Sequence, residues 1–309
     1  MNCNIDIVVV TYNRLDKLKK ALESYSRQTV PFRSLIVVDN CCTDGTSEYL
    51  SQWEAEPSSF TKSVIRSDHN IGGSGGFYLG QKRAVEDGAD WVYVADDDAY
   101  ADEKLVESFQ NFIDANDGMR FSAVCASVRT LDGTICTMHR ERWTLSEGKY
   151  FERRPVPQEE YSQAVFSIDL LSYVGSFLNA KALRMVGYVN KDYFISYDDT
   201  EHSFRLNKYG EIVCVPKLVV LHDSNNNEGY STELNWRDYY MQRNACHLLL
   251  KHMPLKVIIR IIASFLVNRG KNYSSDKIFL KMYRTAVKDA MLGHLGVHNV
   301  YKPGWKPEA

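Results

Sequence analysis

Three consecutive carboxylates, Asp96-Asp97-Asp98, end the apolar run Trp91-Val92-Tyr93-Val94-Ala95, and the rest of the chain is organised around them. A buried strand cannot carry charge into its interior, so the acids must emerge at its C-terminal edge, where α/β sheets bind ligands. Adjacent carboxylates repel one another, and the cluster is costly unless a cation, ribose hydroxyls or water lies between them. The pattern points to a metal and nucleotide site. A second acidic centre, Asp198-Asp199, follows the aromatic segment Tyr193-Phe194-Ile195-Ser196-Tyr197 and opens a helix. One Asp is enough there to cap free N–H groups and complement the macrodipole. The other, close to aromatic surface, is a candidate general base with a raised pKa. His222 ends a later apolar strand beside Asp223. A His at a strand end is often plain surface, but a neutral imidazole near carboxylates is a common divalent-metal ligand.

Strands alternating with helices must position these groups. Ile5 to Val10 reads as a strand stopping at Thr11-Tyr12-Asn13-Arg14, and Leu15, Leu18, Ala21, Leu22 and Tyr25 follow at helical spacing. A second strand, Ser34 to Val38, ends in Asp39-Asn40 before a helix from about Thr46 to Trp53, and Ser63 to Arg66 is a short third strand. The stretch Asn70-Ile71-Gly72-Gly73-Ser74-Gly75-Gly76-Phe77 reads as a glycine-rich loop, a ligand cradle or a plain flexible turn, leading into a helix through about Glu86. It is neither a Walker A sequence nor G-x-G-x-x-G. After the acids come a helix carrying Leu105, Phe109, Phe112 and Ile113, and a strand from Ser122 to Val128. Residues 132–163 are irregular, polar and rich in Arg, Glu and Pro, as in an insertion or lid. A short helix from Ala180 to Val186 and two strands, Ile212 to Val215 and Leu218 to Leu221, complete the pattern. The expected fold class is α/β, a mostly parallel central sheet with helices on both faces, followed by a C-terminal helical segment.

Composition limits the partners. A formal net charge of -2 on 309 residues gives no reason to expect nucleic acid. Seven scattered cysteines without a C-x-x-C pair, and no signal-peptide pattern, suit a reducing cytoplasm. The apolar run Pro254 to Val267 is interrupted by Lys256 and Arg260 and is too short for a membrane span of about 20 residues. It reads as a core-packing helix or as an amphipathic one in peripheral contact with the inner face of the cell membrane.

The order of Val-Val-Thr-Tyr-Asn-Arg, Val-Asp-Asn, the glycine stretch, Asp-Asp-Asp, Asp-Asp-Thr-Glu with Arg205, and a late His resembles the inverting family-two glycosyltransferases of the GT-A (Rossmann-like) fold, over about residues 5 to 250. Asn-Ile-Gly-Gly-Ser-Gly-Gly-Phe with Asp-Asp-Asp is particularly similar to bacterial galactofuranosyltransferases, which use UDP-galactofuranose; related rhamnosyltransferases, which use dTDP-rhamnose, share the general order. The resemblance implies a nucleotide-sugar-binding and catalytic domain over residues 1–235, including the irregular insertion 132–163, and a C-terminal helical extension over 236–309. It implies that Thr11, Arg14 and Asp39 hold the uridine or its ribose, that Asp96 contacts the nucleotide, and that Asp98 and His222 bind Mn²⁺ or Mg²⁺ bridging the diphosphate. Asp199 matches the catalytic base and Asp198 a group orienting sugar hydroxyls, the two roles exchanging if the register slips by one. Gly72, Gly73 and Gly75 are implied near donor or acceptor with Arg205, and Arg243, beside Tyr239 and Asn244, near the diphosphate or acceptor. The implied partners are a UDP-sugar donor and a hydroxyl of a surface polysaccharide or lipid-linked glycan. A nucleotidyltransferase, which opens with a Gly- and Lys/Arg-rich phosphate loop, and a non-catalytic glycan-binding module are the other classes such a chain could join.

Overall fold

The first strand, β1 (Ile5–Thr11), is buried along its whole length because Ile7-Val8-Val9-Val10 can be covered on both faces. A computed structural model describes residues 3–145, 151–223, 233–255, 257–259 and 277–307. The first half runs β1, α1 (Leu15–Ser26), β2 (Ser34–Asp39), α2 (Thr46–Ala55), β3 (Thr61–Arg66), α3 (Gly72–Glu86), β4 (Trp91–Asp96), β5 (Ala99–Ala101), α4 (Leu105–Ala115) and β6 (Phe121–Arg129). Then come β7 (Arg140–Leu145), β8 (Phe151–Pro155), β9 (Phe166–Ile168), β10 (Leu170–Leu171), β11 (Ser176–Asn179), α5 (Ala180–Val186), α6 (Asp198–Leu206) and β12 (Glu211–His222). Further helices among the described residues are α7 (Trp236–His252) and α8 (Lys277–Leu292).

The main sheet has the order β3-β2-β1-β4-β11-β6-β12-β5, with β9 also on β12. Strands β1, β2, β3, β4, β6 and β12 run one way, and β5, β9 and β11 run the other, so the sheet is mostly parallel. Alternation along β1 divides the core. Ile5, Ile7 and Val9 pack with Leu18 and Leu22 of α1, Trp53 of α2 and Phe109 of α4. Val8 and Val10 pack with Phe77 and Ala84 of α3, Leu183 of α5 and Leu206 of α6 on the other face. A third cluster joins Phe194 to Tyr239 and Tyr240 of α7 and to Met282 and Ala286 of α8.

Three sequence expectations change. The glycine stretch from Gly72 onward is no loop: it forms the opening turns of α3. Residues 132–163 are not irregular throughout, since β7 and β8 form an antiparallel hairpin that β10 extends to three strands. The two strands separated at Pro216 are one, with a register shift between Val215 and Val219. Proline has no N–H to give a ladder, so a shift at that point keeps the strand continuous on both sides. Of the apolar run 254–267, Val257 is buried and Leu255 and Ile259 are exposed, while Lys256 and Arg260 to Val267 lie outside the described residues. Among the described residues no helix is long and apolar enough to cross a membrane.

Candidate active site

Strand register builds the first half of the site. Thr11 lies opposite Asp39, and Val10 opposite Asp96, so the polar residues ending β1, β2 and β4 share one sheet edge. After Asp98 the chain turns directly into β5, which pairs antiparallel with the end of β12, placing His222 opposite Ala99. The Asp223 N–H donates to the Asp98 carbonyl at 2.8 Å. This pairing is what brings His222 to the acids. One ligand atom from each of Asp96, Asp98 and His222 lies within 4.8 Å of the others.

The three acids of the triplet differ in surroundings. Asp97 is buried and accepts from the Thr11 hydroxyl at 2.8 Å and from the Tyr12 N–H at 3.4 Å, so it pins the turn after β1. Burial pushes Asp97 up to about 6, against the pull of Arg14 and Thr11. Arg14 Nη1 donates to Asp98 at 2.7 Å and approaches Asp97 at 3.4 Å, and Lys17 Nζ stands 3.7 Å from Asp98. Burial works to raise Asp98, but His222, Arg14 and Lys17 outweigh it and hold that carboxyl below its ordinary range. His222 in turn is raised: burial opposes its charge, and the Asp98 carboxylate more than compensates. Asp96 is raised by burial first and by the charge of Asp98 second. Asp39 is buried, accepting from the Cys42 N–H at 2.9 Å and from Ser47 Oγ at 2.5 Å, which shapes the turn between β2 and α2.

The donor set fits a divalent cation. Asp98 Oδ1 is buried, 3.2 Å from His222 Nε2, and accepts no aligned hydrogen bond, so its lone pairs are available to a metal ion. Carboxylate oxygens are the ligands Mg²⁺ and Mn²⁺ prefer, and imidazole is compatible.

The second half opens α6. Asp198 is raised by burial, then by Asp199, and also by Asp96, so the two acidic centres lie within electrostatic reach of each other. Asp199 is raised by burial against Arg153, and its Oδ1 accepts the Thr200 N–H at 2.6 Å. Arg153, from β8, donates its Nε to Glu141 of β7 at 2.8 Å and lies over the Tyr197 ring at 5.3 Å. The hairpin therefore supplies the cation beside Asp199, a role the polar text of 132–163 did not reveal. Glu201, fully buried, fixes α6: it accepts from Arg205 Nε at 2.9 Å and from Lys251 Nζ at 2.8 Å, and meets His252 Nε2 at 3.1 Å. Burial opposes its charge, but these donors hold Glu201 far below its ordinary pKa. Arg205 is thus committed to Glu201 and to the Val186 and Gly187 carbonyls.

The glycines mostly serve packing. A Cβ on Gly76 would meet Val10 Cγ1 at 2.5 Å and one on Gly75 would meet the Ile71 side chain at 2.8 Å, while Gly72 (φ +74°) lies directly against the Phe194 carbonyl. Gly73 faces open space, with nothing within 4 Å. A cavity of about 500 Å³, lined by Arg66, His69, Tyr78, Lys191 and Phe194 among others, also includes Gly75 but none of the site carboxylates. Arg243 belongs to neither acidic centre: buried in α7, it donates to the carbonyls of Gly296 at 2.6 Å and Tyr193 at 3.0 Å.

Residues 6–170, just over half of the chain, match the family described as Glycosyl transferase family 2. A galactofuranosyltransferase, GlfT1, of Mycobacterium tuberculosis is 29% identical over 211 residues, covering 68% of this chain and 66% of that protein. The chain thus spans just under two thirds of that relative's length. The dTDP-rhamnosyl transferase RfbF of Shigella flexneri is 24% identical over 314 residues, covering 96% of this chain and 98% of that protein. Among solved structures, TarS (residues 1–349) of S. aureus in complex with UDP-GlcNAc superposes with a TM-score of 0.61 at 16% identity, covering 93% of this chain and 80% of that one. A polar sheet edge, an Asp-rich strand end joined to a late His and a second acidic helix start, together with these matches, identify the chain as a glycosyltransferase of GT-A fold belonging to glycosyl transferase family 2.

Proposed function

We propose that this enzyme transfers galactofuranose from UDP-galactofuranose, with inversion, to a hydroxyl of a growing surface polysaccharide or lipid-linked glycan. The observation that carries this reading is the convergence of Asp96, Asp98 and His222 at the sheet edge, one ligand atom of each within 4.8 Å of the others, a metal-compatible donor set whose Asp96 charge is felt at Asp198. The sugar is suggested by the similarity to mycobacterial galactofuranosyltransferases. In this reading Asp98 and His222, with Asp96, hold Mn²⁺ or Mg²⁺, which when bound offsets charge on the departing diphosphate. Asp199 takes the proton of the incoming hydroxyl, and burial favours that role by raising its proton affinity toward the working range. Asp198 orients sugar hydroxyls. Thr11, Arg14 and Asp39 shape the edge where the nucleotide lies, with Gly73 as the open position at the start of α3. A single displacement by the acceptor hydroxyl, with no enzyme-bound intermediate, inverts the anomeric configuration. The division proposed is catalysis in residues 1–235 and a helical extension in 236–309.

A rhamnosyl donor is the second reading, favoured by the near-complete coverage of the Shigella rhamnosyl transferase. The two are separated by offering UDP-galactofuranose, UDP-galactopyranose and dTDP-rhamnose and scoring Mn²⁺-dependent binding or slow hydrolysis. Preference for UDP-galactofuranose is the expected result; preference for dTDP-rhamnose overturns the donor assignment and leaves the fold and the roles of the acids standing.

A further inference from the structure

The backbone leading into Asp198-Asp199 holds three non-glycine residues in left-handed conformations within four positions: Phe194 (φ 67°), Ser196 (φ 67°) and Tyr197 (φ 63°). Phe194, with ψ −61°, is the centre of a γ-turn in which the Ile195 N–H donates to the Tyr193 carbonyl at 2.8 Å. That form is rare and strained. L-residues in such conformations persist only where their surroundings over-determine them, and they concentrate where function depends on geometry.

The surroundings here are two adjacent side chains of α7. Asn244, fully buried, turns its Nδ2 to the carbonyls of Tyr193 at 3.0 Å, Ile195 at 2.9 Å and Ser196 at 2.8 Å. Arg243 donates to the carbonyls of Tyr193 at 3.0 Å, Asp192 at 3.3 Å and Gly296 at 2.6 Å. Its Nε also donates to Asn244 Oδ1 at 2.9 Å, which fixes the amide so that its donors face the turn. The Ser74 N–H, in the glycine-rich start of α3, also donates to the turn, at the Phe194 carbonyl at 3.2 Å. Tyr197 is the residue immediately before α6, so rotation at 196–197 swings Asp198 and Asp199 together.

We infer that Arg243 and Asn244 are positioning residues that clamp the Phe194–Tyr197 turn and so aim the acidic pair opening α6. The inference rests on the proposed role of Asp199 as base. It replaces a diphosphate or acceptor contact for Arg243, because this buried guanidinium donates to three backbone carbonyls and to Asn244.

The test is steady-state kinetics of Asn244→Ala, with UDP affinity in Mn²⁺ measured in parallel and Asp199→Asn as reference. The expected result is a kcat lower by about 100-fold, the scale of a small misplacement at a reacting centre, with donor KM and UDP Kd within about twofold of wild type. Adding Ser196→Gly, which adopts the left-handed conformation without a clamp, is expected to restore part of kcat. Should Asn244→Ala fail to give a cooperative melt, Arg243→Lys is read by the same criteria. Wild-type kcat in the folded variant, or a fall in kcat matched by an equal loss of UDP affinity, overturns the clamp. Full activity of Asp199→Asn instead removes the base assignment and is recognised independently of either clamp variant.

Discussion

Asp199 and Asp98 have opposite electrostatic settings, and each setting makes its own prediction. Burial raises Asp199, so it keeps its proton to higher pH than a free carboxyl, whose pKa is about 3.9. A base works only when deprotonated, so kcat/KM is expected to fall as pH drops through this raised pKa, placing the acid limb above the ordinary carboxylate range. A pH profile checks this; an acid limb at or below the ordinary value contradicts it. Asp98 is held below the ordinary carboxylate range by His222, Arg14 and Lys17, which suits the proposed role of metal ligand. Asp98→Ala is expected to abolish the Mn²⁺ dependence of UDP binding, read by titration calorimetry with and without metal. Much of this was legible in the sequence: an apolar run ending in Asp96-Asp97-Asp98 can only place acids at a strand edge. That Asp97 serves the turn after β1 was not legible, because a contact between Thr11 and Asp97 depends on register between strands far apart in the chain.

Among the elements, α3 and α6 are held by different physics. Gly76 and Gly80 let α3 lie against Val10 and Val8 of β1, whereas a Cβ added at Gly73 would meet open space. Gly76→Ala or Gly80→Ala is therefore expected to cost about 1–3 kcal/mol through overpacking. Gly73→Ala is expected to be neutral or to stabilise by about 0.4–1 kcal/mol, since its φ is not in the left-handed region. Urea denaturation distinguishes the two outcomes. The sequence displays glycines without saying what they touch, so a helix start pressed on a strand reads as a loop. Helix α6 is anchored to α7 by Glu201, whose depressed pKa means its stabilisation is present above the ordinary Glu value of about 4.3 and is lost as pH falls below it. Glu201→Gln is expected to cost about 3–5 kcal/mol at neutral pH, as for a buried ionic network stripped of one member, and the difference from wild type is expected to shrink in acid. Equal stability of the two proteins at neutral pH contradicts the anchor. The hairpin β7–β8 escaped sequence reading because its strands carry runs of charged residues with one aromatic each, Trp143 and Phe151, a pattern that resembles loop text until Phe204 of α6 is present to pack on those rings.

At the scale of the whole molecule, one long pairing and one long clamp assemble the site. Strand β12 crosses the sheet to lie between β6 and β5, carrying His222 to Asp98, and α7 reaches back to the turn that precedes Asp198. Alternating strands and helices foretold the sheet, but the short antiparallel insertions β5, β9 and β11 had no signal strong enough to announce them. In the proposed reading one acidic centre serves metal and nucleotide, and the other takes the acceptor proton. The most direct measurement is UDP-galactofuranose turnover by Asp199→Asn with UDP binding in Mn²⁺ as control. A loss of about 10²–10⁴ in kcat is expected, the range for a general base, with UDP affinity unchanged. Undiminished turnover, or turnover lost only together with UDP binding, would contradict it.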